Sequence, residues 1–218
     1  LVRHKPGRRA ILRFNFSDDT SIYGKTFASK RGPKVFKITR LIAEANAFGP
    51  DVQTPEAIGF LPETRLMLLG EVAGEPVEAR LLSGDTELAK RIAFSLFHLH
   101  SSGIDLGRIH DLEKELSPLE PRAADVRTHA PELGQQVSAL QQRIDRYDHR
   151  HLCWRLRPIH RDMYHDQILI AKDQLAILDL DDAAMSEPGV DVANFTAHLM
   201  LSGIQNHADS RAYQSVID

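Results

Sequence analysis

The chain has 218 residues, 42% hydrophobic and 26% charged, with a single cysteine. That length buries a core of its own, and the composition excludes disordered, collagen-like and fibrous classes. No stretch approaches the roughly 18 apolar residues of a spanning helix, and the lone Cys153 excludes an internal disulfide framework and predicts a reducing, cytoplasmic setting. Opening at Leu1 without an apolar leader and closing at Asp218 inside a helical pattern, the sequence reads as a piece of a longer chain.

The net charge of −3 hides an asymmetry. Residues 1–40 carry a balance of +9 and residues 41–218 a balance of −12. Such a split predicts an anionic ligand at the front and a metal or cationic ligand behind, with a solvated basic face as the plain alternative. No nucleic-acid recognition motif accompanies the basic stretch, so no nucleic-acid partner is expected.

The first 30 residues predict three antiparallel strands. A turn at Lys5-Pro6-Gly7-Arg8-Arg9 precedes the β-rich run Ala10–Phe16, and a turn at Ser17–Thr20 precedes Ile22–Phe27. Lys34–Phe48 predicts a helix with Val35, Ile38, Ile42 and Ala45 on one face. Ile58–Phe60 and Leu66–Leu69 predict a hairpin across Pro62–Arg65. Val72–Pro76 reads as a linker between lobes. Asp85 is placed to cap a helix whose buried stripe is Leu88, Ile92, Leu96 and Leu99, ended by Gly103. The polar stretch 111–150 predicts two amphipathic helices broken near Pro118 and Pro121. Gln167–Ile170 and Leu175–Leu180 predict a second hairpin around Lys172-Asp173-Gln174, and Val190–Leu201 a final helix.

The chemistry concentrates in His160-Arg161-Asp162, Gln167 and Asp179. Phosphoryl transfer needs a carboxylate to orient the attacking hydroxyl and accept its proton, and oxygen ligands to hold Mg²⁺ against phosphates. A loop carboxylate, an amide five residues on and a carboxylate ending the next strand supply those parts.

The segments PIHRDMYHDQILI (158–170), AILDLDDA (176–183) and EPGVDVANFTAHL (187–199) resemble the aminoglycoside phosphotransferase family, the small-molecule branch of the protein-kinase-like fold. Weaker echoes are HKPGRRAILRF (4–14), YGKTF (23–27), LMLLGEVAGEPV (66–77) and FSLFHLHSSGI (94–104). The resemblance implies an α+β, two-lobed fold. Residues 1–72 would form a small antiparallel, nucleotide-binding β lobe. Residues 73–218 would form a larger, mostly helical catalytic lobe, incomplete at its C-terminal end. It implies ATP and Mg²⁺ as cofactors and transfer of the γ-phosphoryl group to a hydroxyl of a small molecule.

By the same resemblance, Asp162 stands where the family has its catalytic aspartate and Asp179 where it binds Mg²⁺. Gln167 occupies the place of a metal-binding asparagine, with its amide one methylene further out. Asp181 is a second carboxylate near the metal position. Asp191 and His160 would brace the catalytic loop. Lys25 would hold the nucleotide's α/β-phosphates, with Glu44, the only acidic residue between Lys34 and Phe48, as its helix partner. Glu71 and Val72 resemble the hinge whose backbone bonds adenine. No Gly-rich phosphate loop is present; Lys5 and Arg8 of the basic turn would hold phosphate by charge instead, the bland reading of Arg8 and Arg9 being a solvated turn. A nucleotide-binding pseudokinase and a metal-dependent hydrolase using His160 and His165 are the alternatives. The acidic balance of the larger lobe favours a cationic acceptor.

Overall fold

The structure, a computed structural model, describes residues 1–146 and 155–218; the expectation for Cys153 lies outside the described residues. Strands β1 (Arg3–Lys5), β2 (Arg9–Asn15) and β3 (Ser21–Phe27) follow the predicted turns, Gly7 adopting φ +67° in the first of them. Helix α1 (Gly32–Glu44), the two-residue strand β4 (Val52–Gln53), β5 (Ala57–Leu61) and β6 (Leu66–Gly70) come next. All of these strands except β4 form one antiparallel sheet in the order β1-β2-β3-β6-β5.

Helix α1 stops four residues earlier than the pattern predicts. Asn46 takes φ +47°, which ends the helical path, so Ala45 is exposed while Ala47 and Phe48 turn inward. Val35, Ile38 and Ile42 are buried as their spacing requires.

Beyond Gly70 the chain forms β7 (Glu75–Pro76), α2 (Glu78–Leu82) and α3 (Thr86–Ser101). Asp85 caps α3 by accepting the Leu88 amide at 2.9 Å, and Leu88, Ile92, Leu96 and Leu99 are buried. Among its described residues the polar stretch holds three α-helices rather than two: α4 (Leu112–Leu116), α5 (Leu119–His129) and α6 (Gly134–Arg146). Pro118 marks the break, but Pro121 sits in the first turn of α5, where a missing N–H leaves no helical bond unmade. Strands β8 (Arg157–Ile159), β9 (Ile168–Ala171), β10 (Gln174–Ile177) and β11 (Ala184–Ser186) and helices α7 (Gly189–Gln205) and α8 (Ser210–Ile217) complete the order.

The second sheet runs β4-β10-β9-β7, with β4 parallel to β10. Residues 52–53 thus join a sheet made otherwise of strands beyond residue 74. The main core has the same character: Ile38, Ile42 and Phe48 pack with Leu88, Ile92, Leu99, Met163, Ile168, Ile177 and Leu199. Helix α1 is therefore shared between the two lobes, while Phe27, Val35 and Met67 form a small separate cluster under the first sheet. Among the described residues no helix is long and apolar enough to cross a membrane.

Gly74, between the sheets, takes φ +152°, and a Cβ there would lie 2.8 Å from Leu169 Cβ and 3.2 Å from the Ile170 backbone. Both the dihedral and the close approach demand glycine. Gly74→Ala is expected to cost on the order of 1–3 kcal/mol, read as a lowered urea midpoint with an unchanged slope.

Candidate active site

Strand register builds the roof of the central cavity. Ile11 of β2, Lys25 of β3 and Met67 of β6 stand directly across from one another, and Tyr23 stands across from Leu69. Side chains two apart on a strand share a face, so Arg9, Ile11, Tyr23, Lys25, Met67 and Leu69 all line one cavity of about 300 Å³. Its floor comes from the hairpin β9–β10. Lys172 (φ +46°) and Asp173 (φ +65°) make a tight two-residue turn of the kind that matches strand twist. That turn sets Ile168 opposite Ile177. The Leu178 amide then donates to the Gln167 carbonyl at 2.8 Å, which brings Gln167 and Asp179 to the same wall.

Charges from the two sides meet at the inner end. Lys25 Nζ lies 2.7 Å from Asp179 Oδ1 and 2.7 Å from Asp181 Oδ1. Arg9 Nη1 lies 3.2 Å from Asp179 and 3.3 Å from Asp181. Lys25 is only 4% exposed, so these pairs are desolvated and every lost partner matters. Burial alone pushes the Asp179 carboxyl up, but the charge and hydrogen bond of Lys25, helped by Arg9, outweigh it and hold the group at about 2. Asp181 goes the other way: burial, with Asp179 beside it, raises it despite Lys25 and Arg31. Asp179 is therefore an ionised hard-oxygen donor at neutral pH, on a cavity that Gln167 also lines. That donor set fits Mg²⁺, which takes one or two protein oxygens and completes its shell with phosphate and water.

Asp162 sits on the loop between β8 and β9, half-buried, on the wall of an adjoining cavity of about 440 Å³ that shares Arg9 with the first. Burial raises its carboxyl, and the nearby charges of Asp179 and Asp182 raise it further. The loop is fixed from beneath. Asp191 of α7, fully buried, accepts the His160 amide at 2.9 Å and the Arg161 amide at 2.6 Å and meets His100 Nε2 at 2.9 Å. Asn194 Nδ2 donates to the Arg161 carbonyl at 2.5 Å, and His160 Nε2 meets the Leu178 carbonyl at 2.8 Å. These contacts hold Arg161 at φ +71°, while Asp179 sits at φ +54°. Two non-glycine residues in left-handed conformations flank the candidate chemistry, strain that the surrounding bonds sustain.

The sequence-derived residues divide accordingly. Lys25, Val72, Gln167 and Asp179 line the first cavity; Lys5, Arg8 and Asp162 line the second. Glu44 does not join them. Its side chain is 65% exposed and faces Arg40 at 3.4 Å, one turn back along α1. Helical periodicity explains the miss: the α1 residue that shares the cavity with Lys25 is the buried Thr39, five positions earlier. Lys25 takes its acidic partners from Asp179 and Asp181 instead. Glu71 turns its side chain to Arg13 at 2.9 Å, away from the cavity lining. His160 and His165 are both engaged away from a shared metal position, His165 with Glu78 at 3.2 Å. Among the described residues no group of three His, Cys, Asp or Glu side chains is arranged around an ion.

A family model described as "Phosphotransferase enzyme family" matches residues 1–217. The chain belongs to the phosphotransferase enzyme family. A comparison with curated proteins gave no match. Among solved structures, the aminoglycoside phosphotransferase APH(3'')-Id from Streptomyces rimosus ATCC10970 aligns with a TM-score of 0.61 at 16% identity, covering 95% of this chain and 79% of that one. The streptomycin–ATP ternary complex of APH(2'')-IIa aligns at 0.56 and 12%, over 95% and 81%. Macrolide 2'-phosphotransferase type I aligns at 0.57 and 13%, over 100% and 81%. At such identities the likeness establishes the fold, the protein-kinase-like one, and the family membership makes this phosphotransferase a small-molecule kinase.

Of two further residues at the candidate site, the sequence leaves Arg9 between phosphate contact and solvated turn and does not single out Arg31. Arg9 shares strand parity with Ile11 and, through the register, the face of Lys25; the Pro6-Gly7 turn carried that signal. Arg31 ends the loop before α1 and reaches Asp181 at 3.1 Å, a contact spanning 150 residues that no local pattern encodes.

Proposed function

We propose that this phosphotransferase moves the γ-phosphoryl group of ATP to a hydroxyl of a small molecule, using Mg²⁺. The observation that carries the reading is the meeting of Lys25 and Asp179 at 2.7 Å at the inner end of a cavity whose outer wall is apolar. Met67, Leu69, Val72 and Leu169 offer a slot for a flat base, and the charged end suits the phosphates. On nucleotide entry Lys25 and Arg9 exchange carboxylates for the α/β-phosphates, leaving Asp179, with Gln167, free to hold the metal. A Mg²⁺ ion held by Asp179 and Gln167 would supply charge neutralisation for the phosphates. Lys5 and Arg8, on the β1–β2 turn, cover the terminal phosphate by charge-assisted bonds.

Asp162 then orients the acceptor hydroxyl. As the new O–P bond forms and the bond to ADP breaks, the hydroxyl proton passes to the Asp162 carboxylate, which later releases it to water. Most of the rate gain is positioning and electrostatics.

ATP with Mg²⁺ at about 100 times its Kd stabilises the fold by about 2.7 kcal/mol, a rise of roughly 5–10 °C in Tm. Lys25→Met is expected to weaken ATP by at least about tenfold, because it removes a desolvated charge partner of the phosphates. Equal ATP affinity in wild type and Lys25→Met, by calorimetry, would remove Lys25 from the nucleotide site.

A further inference from the structure

The cavity beside Asp162 is walled by Lys5, Arg8, Arg9 and Arg31 against two carboxylates, Asp162 and Asp182. Asp182 is already contested. Arg31 Nη1 and Arg108 Nη2 each approach it at 3.4 Å, and Arg161 Nη1 at 3.6 Å. The three guanidiniums arrive from separate segments: the residue before α1, the loop ahead of α4 and the catalytic loop. All three converge on the one oxygen Oδ1, whose two lone pairs cannot serve three guanidiniums at the roughly 2.7–2.9 Å of tight charge-assisted bonds, and among the described residues only Arg108 adds a nearby backbone acceptor, the Asp181 carbonyl at 3.2 Å. The cluster therefore holds spare donor capacity on the cavity that Asp162 lines.

Arg31 is the member best placed to use it. Its guanidinium lies over the Phe27 ring at 5.6 Å from the centroid and reaches Asp181 at 3.1 Å, so its orientation is set before any ligand arrives. Its side chain is still 41% exposed and lines the cavity. Lys5 and Arg8 lie on the turn over the nucleotide phosphates, whereas Arg31 approaches from the α1 side. A polycationic acceptor would need several uncommitted carboxylates here. Among the described residues that line this cavity, Asp162 and the arginine-held Asp182 are the acids on offer.

We propose that the acceptor carries an anionic group, a phosphate or a carboxylate, which seats on Arg31 while a hydroxyl of the same molecule faces Asp162. The proposal rests on the transfer reaction above and names its substrate class. It runs against the cationic acceptor that the lobe's net charge suggested. The lobe total averages over solvated acids such as Glu113, Glu120 and Glu132, which lie on the polar helices and outside this cavity.

The test is calorimetric binding to the protein loaded with Mg²⁺ and a non-hydrolysable ATP analogue, so that the nucleotide cations are already occupied. The ligands are matched sets: glycerol, glycerate and glycerol 3-phosphate; glucose, gluconate and glucose 6-phosphate; and kanamycin as the polycation. At least one anionic member is expected to bind about tenfold or more tightly than its neutral parent, the size of one charge-assisted contact. Which of acid and phosphate ester gains more identifies the group. Arg31→Gln is expected to erase that preference while the analogue binds as before; a role confined to bracing Asp181 and Asp182 would leave the preference intact. Equal or tighter binding of the neutral parents or of kanamycin, or no binding by any anionic member, overturns the proposal. Failure of the analogue itself to bind overturns the transfer reaction, and this inference with it, and is a visibly different result.

Discussion

Asp162→Asn lowers kcat by about 10²–10⁴-fold, the range for removing a positioned proton acceptor, and leaves ATP affinity close to that of the wild type. The asparagine keeps the shape and the ability to orient a hydroxyl but has no carboxylate to take its proton. The binding arm follows from chemistry: Asp162 is not among the residues lining the cavity of Lys25, Val72 and Asp179, and a carboxylate contributes no attraction to the terminal phosphate held by the turn beside it. A pH arm goes with it. Burial, with Asp179 and Asp182 nearby, raises the Asp162 carboxyl above its ordinary value. Only the ionised form accepts a proton, so kcat in the wild type falls as pH drops through that raised value, at higher pH than an ordinary aspartate would allow. In Asp162→Asn that limb disappears. Steady-state kinetics across an acid-to-neutral pH series reads both effects, and a mutant retaining full kcat would remove Asp162 from the chemistry.

Asp191→Ala is expected to cost about 3–5 kcal/mol of stability, the scale for leaving two or three hydrogen-bond donors without their buried acceptor. The carboxylate takes up the His160 and Arg161 amides at 2.9 and 2.6 Å and meets His100 at 2.9 Å, and is itself wholly buried. Removing it orphans those donors and releases the strained Arg161, one residue from Asp162. Urea unfolding measures the stability loss. Because an unfolded variant would be uninformative about the loop, Asp191→Asn supplies the second reading: it keeps one acceptor oxygen, folds with a smaller loss, and still lowers kcat more than it raises KM for ATP. A loss within about 0.5 kcal/mol for Asp191→Ala, the size of an ordinary surface change, would contradict the bracing role.

Local signals carried most of the fold. The stripe Leu88, Ile92, Leu96, Leu99 and the cap Asp85 were legible because helix periodicity and capping act within a few residues. The strands around Gly7 and the hairpin around Lys172-Asp173 were legible for the same reason. The spacing of Gln167 and Asp179 was legible because one hairpin register fixes it. Glu44 was misplaced because an acidic residue on the right helix says nothing about which face it occupies; α1 turns residue 44 to Arg40 and solvent and residue 39 to the cavity. The actual partners of Lys25 lie 154 and more residues away, and only the closing of the two sheets over each other brings them together. Arg31 escaped for that reason too, and with it the arginine cluster around Asp182, which the summed charge of a lobe does not report.

The fate of the γ-phosphoryl group tests the central claim most directly. With γ-labelled ATP, Mg²⁺ and a panel of neutral, anionic and cationic hydroxyl compounds, the account predicts label on an acceptor hydroxyl at a rate that Asp162→Asn reduces by about 10²–10⁴-fold. ATP bound with no label moved to any acceptor would contradict it and leave the chain a nucleotide-binding protein without transfer.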